Sequence, residues 1–176
     1  GNFKICLILI SALKIKLITS KLKKELYLGD WAMSDKRLLI FICRGQARRD
    51  IAALSATGES EILRATLRCK RFELIPETCD ILTSPTVEEK ETAKAVARHL
   101  SLGEPIEIPW LNEGNVQTYV IGQGFLGFSR KNTLIIIVEK PVLIKIAAFF
   151  EQPSHAIQSG DAFILCYPDG KLEKIQ

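Results

Sequence analysis

From Leu38 onward, short apolar runs alternate with longer stretches in which apolar residues recur every three or four positions. Runs of the first kind read as buried strands and stretches of the second as helices packed by one face. The pattern predicts strands over Leu38–Ile42, Ile81–Thr83 and Ile106–Ile108, and a particularly clear one over Thr133–Val138, whose Leu134 to Val138 must be covered on both faces. It predicts helices over Gly58–Phe72, Glu88–Leu100 and Pro141–Phe150. The first has Thr57 as its N-cap, Glu59 and Glu61 in its first turn, and Arg68, Lys70 and Arg71 at its end, the charge order a helix dipole favours. The second follows Pro85 and closes near Gly103, and the third carries Pro141 near its first turn. Ala162–Tyr167 and Leu172–Ile175 flank Pro168-Asp169-Gly170 as a terminal hairpin. Strands and helices in alternation indicate a layered α/β domain.

The chain divides at Met33 into a segment 1–32 and a body 33–176. The segment begins Gly1-Asn2-Phe3, which reads as a cleavage remnant, and the single Met precedes Ser34-Asp35-Lys36-Arg37, where the domain would naturally start. Upstream of it, Ile5 to Ile10 form an apolar run, and Ile15, Ile18, Leu22 and Leu26 recur at helical spacing among lysines. Two readings stand for 1–32: a start site assigned too early, or a basic amphipathic helix suited to an anionic membrane or a partner. Membrane contact through it is the weaker expectation. Lysines interrupt the apolar stretch, which argues against a signal peptide and against a span of about 20 apolar residues.

Charge changes the picture once it is divided along the chain. Of 24 basic and 20 acidic residues, the segment 1–32 holds six lysines against Glu25 and Asp30, which leaves the body with 18 of each sign. A neutral body offers no general field for nucleic acid, and none is expected as a partner. The five cysteines, Cys6, Cys43, Cys69, Cys79 and Cys166, show no paired spacing and read as reduced thiols of a cytoplasmic protein.

Residues 38 to 50, Leu-Leu-Ile-Phe-Ile-Cys-Arg-Gly-Gln-Ala-Arg-Arg-Asp, run from a strand into a basic turn, the place where α/β enzymes keep a phosphate or a nucleophile. Its frame resembles the opening strand of the histidine phosphatase superfamily, also called phosphoglycerate mutase-like, which ends in Arg-His-Gly. Further blocks follow in order. Leu54-Ser55-Ala56-Thr57-Gly58 is similar to that family's Leu-Thr-x-x-Gly; Leu82-Thr83-Ser84-Pro85 with Glu91-Thr92-Ala93 to its Ser-Ser-Pro…Gln-Thr-Ala; and Ile137-Val138-Glu139-Lys140-Pro141-Val142-Leu143 to its Val-Gly-His-x-Pro-x-Leu. The resemblance spans residues 36 to 176, looks most like the small phosphohistidine phosphatase branch, and implies a three-layer α/β/α domain with a mostly parallel mixed sheet.

The same resemblance implies a phosphate cradle of two Arg and two His, and here all four positions differ. The first Arg aligns with Cys43, the nucleophilic His with Arg44, the second Arg with Glu88 and the second His with Glu139. A guanidinium is never deprotonated in a protein and cannot replace the nucleophile. Two carboxylates beside Arg44 would repel phosphate or pair internally, so no catalytic residue is expected among the four and the expected role is binding or regulation, with a protein partner or a second copy. Arg44, Arg48, Arg49 and Lys140 could still hold a phosphate or phospho-ligand weakly. The alternative is a phosphohydrolase working through Cys43, Arg44 and Arg49, since Cys43 and Arg49 stand at the Cys-x5-Arg spacing, although the Gly-rich cradle of that motif is missing. Glu113 matches the carboxylate of the larger enzymes only loosely, and His99 and His155 lack metal-ligand spacing, so neither metal nor cofactor is expected. Gly122-Gln123-Gly124-Phe125-Leu126-Gly127 reads as a loop in spite of its G-x-G-x-x-G spacing.

Overall fold

The computed structural model describes residues 37–48, 50, 53–111, 125, 127–150, 157–167 and 170–176. The segment 1–32, Arg49, Glu113, Gly122 to Gly124 and His155 lie outside the described residues. Lys36–Gln176 forms one compact unit.

Strand β1 (Arg37–Cys43) leads through a turn to helix α1 (Ala56–Cys69) and a single 3₁₀ turn (Lys70–Phe72). Strand β2 (Cys79–Thr83), helix α2 (Val87–Leu100) and the short β3 (Ile106–Glu107) follow, then β4 (Thr133–Val138), helix α3 (Lys140–Phe149), β5 (Ala162–Tyr167) and β6 (Leu172–Lys174). The six strands lie in the order β3-β2-β4-β1-β5-β6. β1, β2, β3 and β4 pair in parallel, while β5 joins β1 and β6 joins β5 antiparallel. The sheet is therefore mostly parallel and mixed, as the pattern of elements implies.

Both faces of the sheet are covered, and the register decides which residue faces which layer. Leu39, Phe41, Cys43, Leu134, Ile136 and Val138 face α3, whose Val142, Leu143, Ile146 and Ala147 bury against them. Ile40, Ile42, Ile135 and Ile137 point the other way, against Ile62 and Ala65 of α1 and Ala93 and Val96 of α2. A strand between two helical layers cannot alternate apolar with polar residues, which accounts for the unbroken runs in β1 and β4. The last two strands form the expected hairpin, with Phe163 opposite Lys174.

Element ends differ from the sequence reading where a cap competes. Helix α1 starts at Ala56 because Ser55, not Thr57, is the N-cap: its Oγ accepts the Gly58 N–H at 3.0 Å. A cap must stand just outside the helix to reach an N–H of its first turn, and Thr57 is already inside. At the other end the α-helix stops at Cys69 and tightens into the 3₁₀ turn, which Glu73 terminates at φ 52°. Helix α2 likewise ends before Gly103, because Ser101 takes the left-handed conformation at φ 55° and accommodates the turn. Of the Gly-rich stretch only Phe125 and Gly127 are described, and both are helical rather than loop, as is the following Phe128. Phe125 is fully buried, with its ring 6.0 Å from Phe41 and 5.5 Å from Trp110, and that burial anchors the turn.

The β1–α1 turn is fastened to the start of α1 at glycine. Ser55 N–H donates to Gln46 O at 2.9 Å, the Ser55 hydroxyl donates to the same oxygen at 3.1 Å, and a Cβ on Gly58 would collide with the Gln46 backbone. Gly58→Ala should therefore destabilise the domain by about 1–3 kcal/mol, the usual cost of overpacking, measured as a lower midpoint in urea at unchanged slope.

Candidate functional site

Parallel strands β1 and β4 end side by side, and the polar residues of interest stand where they stop. The pairing closes with Cys43 opposite Val138, and Arg44 N–H then donates to Val138 O at 2.8 Å. On the other side Cys43 N–H donates to Asp161 O at 2.8 Å, and Gly160 N–H to Cys43 O at 3.1 Å. Gly45 N–H reaches the Thr92 hydroxyl of α2 at 3.3 Å, and that hydroxyl donates to Glu88 O at 2.9 Å. The turn is thus held by three elements, in the crevice beyond the carboxyl ends of the strands where ligands of α/β sheets commonly bind.

Arg44 does not point into an open cradle. Its Nε lies 3.2 Å from Oε1 of Glu89, whose side chain is only 5% exposed against 34% for Arg44. Burial pushes the Glu89 carboxyl above its ordinary value of 4.5; Arg44 pulls it back, while Glu139 and Glu88 push it further up. Those influences place the aligned carboxylates Glu88 and Glu139 close enough to act on Glu89. Glu88 is half-buried in the first turn of α2, and Glu139 is half-buried as the N-cap residue of α3, where its side chain makes no capping bond.

Cys43 is enclosed. It is 1% exposed, and its thiol is pushed up to about 12, first by burial and then by Asp161 and Glu61, against the lowering influence of Arg44 and Lys140. A thiol so protonated is a poor nucleophile. Asp161, itself buried, accepts the Gln158 N–H at 2.8 Å and pairs with Lys174 Nζ at 2.7 Å. Glu61 accepts the Gln46 N–H at 3.1 Å, and Gly160, at φ 74°, packs so close to Glu61 that an added Cβ would lie 2.7 Å from its Cβ. Carboxylates thus surround the strand end.

The residues singled out in the sequence are only partly brought together. Cys43, Arg44, Glu88 and Glu139 converge, and Lys140, exposed at the first position of α3, lies near enough to lower the Cys43 thiol. Arg48 turns to Asp50 instead, with Nε to Oδ1 at 3.1 Å and Nη2 to Oδ2 at 2.7 Å, both residues exposed. His99 lies on α2 with a buried Nε2 that has no hydrogen-bond partner among the described residues. No group of three His, Cys, Asp or Glu among the described residues could hold a metal ion.

Glu89 is the residue that sequence reasoning passed over. It precedes Ala93, Val96 and Leu100 at the 4-3-4 spacing of the buried stripe of α2, and that position in the stripe was the available signal.

Comparison with solved structures places the fold. A protein histidine phosphatase SixA complexed with tungstate superposes with a TM-score of 0.63 at 15% identity, over 78% of this chain and 93% of that one. A putative phosphohistidine phosphatase SixA from Agrobacterium tumefaciens gives 0.60 at 12% identity, over 80% and 96%. A phosphoglycerate mutase from Plasmodium falciparum gives 0.53 at 14% identity, over 81% and 91%. The chain has the phosphoglycerate mutase-like α/β fold that these structures share. No protein-family model matches the sequence, and no curated protein matches it.

Two outcomes follow from the geometry. A carboxyl whose native value is raised lends stability in full below 4.5, and that contribution is lost as pH rises through the native value. Glu89→Gln does not titrate, so the stability of the unaltered chain relative to it should fall as pH rises above 4.5, measured by urea unfolding at each pH. Native-state alkylation with iodoacetamide, read by peptide mass spectrometry, should label exposed Cys166 well before buried Cys43, Cys69 and Cys79.

Proposed function

We propose that this chain is a histidine phosphatase-like domain that has given up phosphoryl transfer and acts as a binding or regulatory module for a protein partner. The observation that carries this reading is the Arg44–Glu89 pair. Arg44, the cation that directly follows β1, already has an anion at 3.2 Å, supplied by the chain itself. An incoming phosphate would have to displace a buried carboxylate and approach Glu88 and Glu139 as well.

The alternative, a phosphohydrolase that uses Cys43 with Arg44 and Arg49, has less support. With its thiol pushed up to about 12, Cys43 would be ionised in only about one molecule in 10⁵ at pH 7. The fold by itself decides nothing here, since one fold hosts many functions. Among the described residues no helix is long and apolar enough to cross a membrane. We place the domain in the cytoplasm, a reading supported by its scattered, unpaired cysteines.

Tungstate, the oxyanion in one of the similar structures, is the direct probe. On the full chain, titration to millimolar tungstate should leave the melting temperature unchanged, whereas Glu89→Gln should gain saturable stabilisation as Arg44 is released. Saturable stabilisation of the unaltered chain, or phosphoester turnover abolished by Cys43→Ser, would overturn the proposal.

A further inference from the structure

Arg44 and Glu89 are unequally buried, and the inequality decides what it takes to separate them. The Glu89 side chain is 5% exposed and that of Arg44 34%, with Nε 3.2 Å from Oε1. Arg44 can take a new partner at the rim, where water already reaches it. Glu89 belongs to the buried stripe of α2, with Ala93 and Val96 packed toward the sheet. A carboxylate left there without its cation would be an uncompensated buried charge, which costs far more than a buried neutral acid. Separation of the pair therefore calls for a proton on Glu89.

The surrounding charges push the same way. Among the described residues, those that act on Glu89 are Arg44 from the β1–α1 turn, Glu139 from the start of α3 and Glu88 beside it on α2. Both carboxylates favour a protonated Glu89, as does burial, against Arg44 and the backbone N–H of Glu89, which favour the charged form. Lys140, Asp161 and Glu61 stand around the neighbouring Cys43. Glu88 and Glu139 are half-buried, so solvent screens part of their charge. An oxyanion on Arg44 would add negative charge at this corner and strengthen the demand for the proton. Anion and proton then favour each other's binding.

We propose that Glu89 is a proton-operated gate on Arg44: in mild acid it takes a proton from solvent and releases the guanidinium to a small tetrahedral oxyanion, and near neutrality it holds Arg44 shut. The gate rests on the reading above that Glu89 occupies Arg44 at neutral pH, and adds the condition under which the pair opens.

Calorimetric titration of the full chain with sulfate, against chloride at equal ionic strength, tests it. Sulfate stays a dianion in mild acid, whereas tungstate is a single oxyanion only near neutrality and above, so tungstate reads the closed state. The unaltered chain should bind sulfate saturably at about pH 5 and about tenfold or more weakly at about pH 8, with net proton uptake between the two, seen as heats that differ among buffers of different ionisation enthalpy. Glu89→Gln should bind at both pH values without that uptake, and Arg44→Gln at neither. Equal binding by the unaltered chain at both pH values overturns the gate and the closed-site reading together. No binding at about pH 5 overturns the gate alone, as does binding that survives Arg44→Gln or proceeds without proton uptake. Should Glu89→Gln fail to fold, the proton uptake of the unaltered chain and the Arg44→Gln titration still decide.

Discussion

The parallel pairing of β1 with β4, in register from Leu38 opposite Thr133 to Cys43 opposite Val138, is the constraint on which the site depends. The two strands stop together, so the residues that follow them, Arg44 and Glu139, are delivered to one place. Apolar burial on both faces holds that register, because a slip of one residue would turn Ile40 and Ile42 from the α1–α2 layer to the α3 layer. Helix α2 then brings Glu88, Glu89 and Thr92 to the same corner, with Thr92 bonded to the turn itself.

At that corner the sign of the charges matters more than their number. A cradle for a dianion needs cations with no carboxylate within reach. Here Arg44 stands with Glu89, Glu88 and Glu139 on one side, and the enclosed Cys43 has Asp161 and Glu61 close by. A partly buried ion pair of this kind contributes little net stability, because desolvation of Glu89 offsets most of the attraction. Its consequence is occupancy, since the guanidinium already has its anion. The fold itself is shared with solved histidine phosphatase and phosphoglycerate mutase structures at 15% identity or less.

Much of the fold could be read in the sequence because the strongest signals come from burial. Thr133–Val138 and Ala162–Tyr167 have the bounds their apolar runs predict, since a strand covered on both faces cannot tolerate polar residues within it. Helix ends were less readable. Whether Ser55 or Thr57 caps α1, and whether Ser101 or Gly103 ends α2, depends on local hydrogen bonds that several neighbouring residues could supply. For the site, aligned positions pointed to Cys43, Arg44, Glu88 and Glu139, yet not to the partner Arg44 takes. Glu88 and Glu89 are adjacent on a helix and differ by one turn step in facing. Only the buried stripe that continues through Ala93, Val96 and Leu100 shows that Glu89 is the inward one.

The most direct measurement is an experimental structure of the full chain grown with millimolar tungstate. The account predicts Arg44 Nε on Glu89 at hydrogen-bonding distance and no oxyanion at the carboxyl ends of β1 and β4. A tungstate held by Arg44, with Glu89 turned away, would contradict it.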